Sequence, residues 1–103
     1  WDDPELGAAM ANTLIVVEND AGVAGLAGRV SDELAEIGYR VGTPISGEIS
    51  PNSALVDMTD GYGGAIERGL EADLGIQLEL IEGEKGAGPA RVVLKLGKDY
   101  ASR

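Results

Sequence analysis

Leu14-Ile15-Val16-Val17-Glu18-Asn19-Asp20-Ala21-Gly22-Val23-Ala24-Gly25-Leu26-Ala27-Gly28 is the stretch on which the reading of the chain turns. Its four consecutive apolar residues do not alternate, which predicts a buried strand over residues 13–18. A polar turn, Glu18-Asn19-Asp20, and three glycines then lead into a helix. Asp20 suits the N-cap, because its carboxylate accepts from the free N–H groups of a first helical turn. Val23, Leu26, Val30, Leu34 and Ile37 recur at helical spacing as the buried stripe, and Gly38 stops the helix. Strand, turn and glycine-rich helix start can bring backbone N–H groups close to a ligand, so residues 19–28 are the leading candidate site.

Residues 1–12 read as a leader segment ahead of a single domain over residues 13–103. Residues 39–45 are a second strand, with Pro44 marking an end or an edge, and 46–52 are a turn-rich connection. Residues 54–59 form a third strand, and Asp60-Gly61 turns the chain into a second helix built on Ile66, Leu70 and Leu74, with Gly75 as its stop. Further on, Ile76, Leu78 and Leu80 alternate with Gln77 and Glu79; Val92, Leu94 and Leu96 alternate with Arg91, Val93 and Lys95. Both runs are strands with one wet face, joined by a mobile loop at residues 83–89. The order is β-α-β-β-α-β-β. Two helices cannot cover both faces of a five-stranded sheet. The fold class is therefore an α/β (α+β) two-layer sandwich with both helices on one face of a mixed sheet. The ferredoxin-like split βαβ pattern is one such arrangement; strand order stays open.

The chain has 103 residues, 44% hydrophobic and 25% charged, which describes one globular domain with its own core. No apolar run reaches the roughly 20 residues of a membrane span. The chain opens at Trp1 without methionine, which predicts a piece of something longer, open to an anchor or a signal ahead of it. Eight basic residues face eighteen acidic ones, a net charge of −10, and the basic residues are dispersed. Nucleic acid and anionic lipid are poor partners for such a surface. Cysteine and histidine are absent, which removes disulfides, zinc chemistry, thiol nucleophiles and histidine triads. No metal, cofactor or catalytic residue is assigned.

Gly25 and Gly28 fall nearly opposite the apolar stripe, beside Asp32 and Glu36. A glycine inside a helix costs about 1 kcal/mol relative to alanine, and one placed for close packing belongs on the stripe. These two mark either a frayed helix start or room for an approaching partner. The candidate binding residues are Asn19, Asp20, Gly22, Gly25 and Gly28, with Tyr62 and the 83–89 loop as further contributors. A dinucleotide site is disfavoured, because the spacing is G-x-x-G-x-x-G and Asp20 repels phosphate. Glu33 with Glu36 and Glu67 with Glu71 read as solvated helix neighbours. Nothing predicts a carboxylate pair in unequal environments. Asp57, Asp60 and Glu48 lack the spacing of a calcium loop. Tyr39, Tyr62 and Tyr100 read as half-buried caps of the core.

Residues 15–30, Ile15-Val16-Val17-Glu18-Asn19-Asp20-Ala21-Gly22 through Val30, resemble the opening of the LytR cell-envelope attenuator C-terminal domain. That family reads as a strand ending V-x-N-G-T-G followed by a helix starting V-x-G-L-A. Ile37-Gly38-Tyr39, Gly61-Tyr62, Leu74-Gly75 and the closing Val92-Val93-Leu94-x-Leu96-Gly97-x-Asp99-Tyr100 agree in order and spacing, over roughly residues 13–100. The departure is Asp20-Ala21, where the family carries glycine followed by Thr or Ser.

The resemblance implies an extracytoplasmic domain of a Gram-positive, actinobacterial envelope protein, behind a LytR-CpsA-Psr phosphotransferase domain or a membrane anchor. The transferase chemistry belongs to that other domain. The expected function is a non-catalytic accessory module in cell-wall assembly, binding a cell-wall glycan such as peptidoglycan, or an envelope protein, with no membrane contact of its own. The alternative is a small-molecule effector-binding regulatory domain of ferredoxin-like type.

Overall fold

The computed structural model describes residues 4–59, 61–84 and 90–101. Trp1, Asp60 and residues 85–89 of the connecting loop lie outside them. In chain order the elements are α1 (Pro4–Asn12), β1 (Leu14–Asn19), α2 (Leu26–Ile37), β2 (Arg40–Val41), β3 (Ile45–Ser46) and β4 (Ala54–Met58). After them come α3 (Gly63–Leu74), β5 (Glu79–Glu82), β6 (Arg91–Leu96) and α4 (Lys98–Ala101).

The strands form one mixed sheet in the order β2-β1-β6-β4-β5, with β3 also pairing β1. Two parallel βαβ units, β1-α2-β2 and β4-α3-β5, are joined through β6, which runs parallel to β1 and antiparallel to β4. The units point in opposite directions and grow outward to opposite edges. Right-handed crossovers therefore place both helices on the same face. Ile15 and Val17 of β1, Leu55 of β4 and Val92, Leu94 and Leu96 of β6 are fully buried there, against Val30 and Leu34 of α2 and Ile66 and Leu70 of α3. The two-layer expectation holds. The ferredoxin-like arrangement does not, because each βαβ pair is adjacent and unsplit.

Other expectations change for local reasons. β1 is buried on one face only: Leu14 and Val16 are half-buried, since no helix backs their side of the sheet. The second strand breaks into the dipeptides β2 and β3, because Pro44 offers no N–H and biases Thr43 away from the helical region. α2 starts at Leu26, leaving Val23 37% exposed, and Ile37 at the other end is 43% exposed. The final alternating run also starts late. Leu78 N donates to Glu71 Oε2 at 2.9 Å, and its side chain enters the core before β5 begins at Glu79.

The leader is a helix with a function in packing. Leu6 and Ala9 of α1 are buried in the common core, and α1 lies against α3. The Arg68–Glu5 pair at 3.1 Å is exposed on both sides, and such pairs contribute little. Apolar burial attaches this helix. Leu6→Ala is expected to lower stability by about 2–4 kcal/mol in a urea titration at pH 7. A midpoint equal to that of the unmodified chain would show α1 to be a dispensable appendage.

Candidate functional site

The turn after β1 is built by Asn19. Its Nδ2 donates to Val23 O at 2.6 Å and its Oδ1 accepts from Ala21 N at 3.1 Å, so the side chain holds residues 19–23 together. Gly22 (φ 73°) and Gly25 (φ 77°) carry the chain through the left-handed region, which a side chain disfavours. Gly25 is the residue preceding α2, and no side chain caps that helix. A Cβ at Gly22 would lie 3.1 Å from Ile49 Cδ1, so Ile49 covers that corner, whereas a Cβ at Gly28 would face open space. Tyr62 is half-buried at the start of α3, beyond the C-terminal end of β4. The 19–28 turn lies at the other end of the sheet, level with the start of β4. The structure therefore brings Asn19, Asp20, Gly22 and Gly25 together and leaves Tyr62 apart.

Asp20 is not the N-cap. Its N–H donates to Leu96 O at 2.9 Å, which continues the β1–β6 ladder by one residue. The two-residue strand period then places Asp20 with Leu14, Val16 and Glu18 on the face without helices. There the register lines up Glu18, Lys95, Ala54 and Glu79 in one cross-strand row, with Val16, Val93, Val56 and Ile81 in the next. The connection between β3 and β4 arches over the first row and encloses a cleft of about 590 Å³. Glu18, Asp20, Glu48, Glu79 and Lys95 supply its charge, and Ile49 and Ile81 supply apolar wall.

The centre of the cleft is a carboxylate pair. Asp20 is 3% exposed, and its Oδ1 has no hydrogen-bond partner among the described residues. Asp20 Oδ1 and Glu18 Oε2 converge on Gly47, where a Cβ would overlap both. Glu18 Oε2 is also 3.7 Å from Lys95 Nζ. Burial pushes the Asp20 carboxyl up to about 6 from 3.8, helped by a shared hydrogen bond with Glu18 and the negative charges of Glu18 and Glu48, while Lys95 pulls the other way. Two ionised carboxylates cannot donate to each other; a proton held between them can.

The roof of the cleft is pinned at its far end. Ser50 O and Pro51 O accept from Lys98 N and Asp99 N at 2.9 and 3.0 Å. Asp99 accepts from Ser53 Oγ at 2.6 Å and Ser53 N at 3.1 Å, and Ser53 Oγ in turn accepts from Gly97 N at 3.0 Å. Burial raises the Asp99 carboxyl, but these hydrogen bonds outweigh it and hold the group below its ordinary value. This end of the roof is preorganised.

The remaining acids divide between structure and solvent. Asp57 Oδ1 accepts from Thr59 N and Oγ1 at 2.8 and 2.6 Å, and its carboxylate abuts Gly63 at the start of α3, where negative charge complements the helix dipole. Glu48 belongs to the cleft at the opposite end of β4, so these two do not converge. Among the described residues no group of three His, Cys, Asp or Glu side chains is placed to hold a metal ion. Glu33 and Glu36 are exposed, as read, but Glu67 is half-buried, and burial followed by the charge of Glu71 raises its carboxyl. Tyr39 and Tyr100 are buried rather than half-buried, and Tyr39 Oη donates to Asp73 Oδ2 at 2.7 Å. Among the described residues no helix is long and apolar enough to cross a membrane.

Sequence reasoning missed the pairing of Glu18 with Asp20 and the contributions of Gly47, Ile49, Glu79, Ile81 and Lys95. The pairing was accessible in principle: residues 14, 16, 18 and 20 share a strand face once the strand is carried one residue further.

The family model of the LytR cell envelope-related transcriptional attenuator, LytR_C, matches residues 12–100, and the chain belongs to that family. It is a cell-envelope-related domain. No curated protein and no solved structure matches the chain.

The raised Asp20 carboxyl has a definite sign. The folded state holds a proton more tightly than the unfolded one, so this group's contribution falls as pH rises from about 4 to 6. Asp20→Asn is expected to be more stable than the unmodified chain at pH 7 by about 1–3 kcal/mol, with the gap closing below pH 4. Chemical denaturation at pH 7 and pH 3.5 measures this. An equal or lower stability of the variant at pH 7 would contradict a strained Asp20 carboxylate.

Proposed function

We propose that this chain is a non-catalytic, extracytoplasmic binding module of the bacterial cell envelope. It holds a cell-wall glycan or an envelope protein during wall assembly or maintenance. Its contact surface is the cleft on the helix-free face, continued around the 19–28 turn through Ile49, which lines the cleft and covers Gly22. Asp20 is common to both. A Gram-positive, actinobacterial source and an upstream membrane anchor belong to the same reading and rest on family membership.

The observation that carries the proposal is a cleft of about 590 Å³ whose floor contains a buried carboxylate oxygen without a hydrogen-bond donor among the described residues. Such a volume is typical of ligand sites, and a buried polar group without a partner is costly to keep. The non-catalytic reading rests on family membership. The regulatory alternative loses its structural premise, since the sheet is not of the ferredoxin-like type.

Retention on purified peptidoglycan, on arabinogalactan and on immobilised envelope proteins tests the proposal. Gly47→Ala places a methyl group against Asp20 Oδ1 and Glu18 Oε2 and is expected to reduce retention at least tenfold, with a melting transition still present. Gly7→Ala on α1, which adds a methyl into open space away from this surface, is expected to leave retention within about twofold. Retention indifferent to Gly47→Ala would remove the cleft from the contact surface.

A further inference from the structure

The charge and shape of the cleft select a ligand class, an inference that rests on the cleft being the contact surface proposed above. Among the described residues lining the cleft, four carboxylates, Glu18, Asp20, Glu48 and Glu79, face one cation, Lys95. Lys95 Nζ lies 3.7 Å from Glu18 Oε2, a loose pair, and its side chain is 40% exposed. A concave surface of one charge sign focuses its field and raises the local concentration of an opposite charge. The second observation is Asp20 itself, 3% exposed, whose ionised carboxylate has no donor for Oδ1 among the described residues. A metal ion does not fit, because no three acidic groups of the described residues converge.

The remaining lining discriminates among organic cations. Ile49 is 64% exposed and Ile81 is 41% exposed, and both line the cleft beside the carboxylates. Long amphipathic side chains lay their methylene stems along apolar surface and keep a charged head at polar groups. Among the described residues no aromatic side chain lines the cleft to offer a flat surface to a sugar ring. Asp20 is recessed, which suits a compact ammonium on a slim stem better than a broad planar guanidinium.

We propose that the cleft receives the lysine side chain of a partner protein, its stem against Ile49 and Ile81 and its ammonium at the Glu18–Asp20 pair. Binding requires Asp20 to be ionised. The groups facing it are Glu18 on the same strand, Glu48 on the roof, Glu79 on β5 and Lys95 on β6. An incoming ammonium offsets the mutual repulsion of the carboxylates and displaces any proton that Asp20 shares with Glu18. Affinity therefore rises with pH across the range where lysine stays charged.

The test is a titration of the isotope-labelled chain with a capped five-residue peptide carrying one central lysine, followed through backbone amide resonances. Shifts are expected at Glu18, Asp20, Gly47 and Ile81. Binding is expected to be at least tenfold weaker for the norleucine peptide, for Asp20→Asn and for Glu18→Gln. It is also expected to weaken about tenfold between pH 7.5 and pH 5, following a carboxyl at about 6. Equal shifts from the norleucine peptide, tighter binding of the arginine counterpart, or an unchanged affinity in Asp20→Asn would each overturn the assignment. Envelope retention abolished by Gly47→Ala, with no response to the lysine peptide, would keep the cleft and discard this ligand. Retention indifferent to Gly47→Ala would discard the cleft with it.

Discussion

The fold depends on β6. Among the described residues it is the only strand that pairs with both halves of the sheet, parallel with β1 along six residues and antiparallel with β4 along five. Val92, Leu94 and Leu96 are fully buried, and each such side chain contributes about 1.5–3 kcal/mol through burial. Without this strand the two βαβ units would share no backbone ladder. Because β6 reverses the sense of one unit against the other, it also decides that α2 and α3 lie on one face. The opposite face is thus left open, and the cleft occupies it.

The energetic balance at the cleft runs against stability. A buried carboxylate held beside a second one is disfavoured by desolvation and by repulsion. The surrounding structure tolerates it because Asp20 is fixed on both sides through its backbone: its N–H donates to Leu96 O and its carbonyl accepts from Ser50 N at 2.8 Å. Positions that oppose folding in this way and persist through their surroundings concentrate at functional sites. The same reasoning separates Asp20 from Asp57, whose carboxylate is satisfied by Thr59 and adjoins a helix start.

Legibility in the sequence followed the strength of the local periodicity. The alternation of Val92, Leu94 and Leu96 and the spacing of Ile66, Leu70 and Leu74 survived intact, as did Gly38 and Gly75 as helix ends. These are runs whose partners lie on one side only. Val23 failed because the Asn19 turn and two left-handed glycines delay the helix, a matter of backbone geometry that hydrophobicity does not encode. Asp20 was read as a cap because its residue type suits one, yet its strand position overrode that preference. The burial of Leu6 was illegible for another reason: a short helix acquires its role from α3, far along the chain, and carries no signal of that contact. The cleft is assembled from β1, β5, β6 and the roof, so only its Glu18–Asp20 component had a local signature.

Strand β6 follows both of its ladder partners in the sequence, and this has a kinetic consequence. Leu14 finds its partner Arg91 only after all the residues between them are available. Such distant pairing makes loop closure the slow step, in contrast to proteins built from neighbouring contacts. During synthesis, β1 and β4 emerge long before the strand that joins them, with their inner edges open to hydrogen bonding by other chains. Two features restrain such mispairing in the interim: the net charge of −10, which sets unfinished copies against one another, and acidic residues at both ends of β5, Glu79 and Glu82. The sheet is thus joined only once β6 is made, and fragments that stop before it would lack the ladder between the two βαβ units.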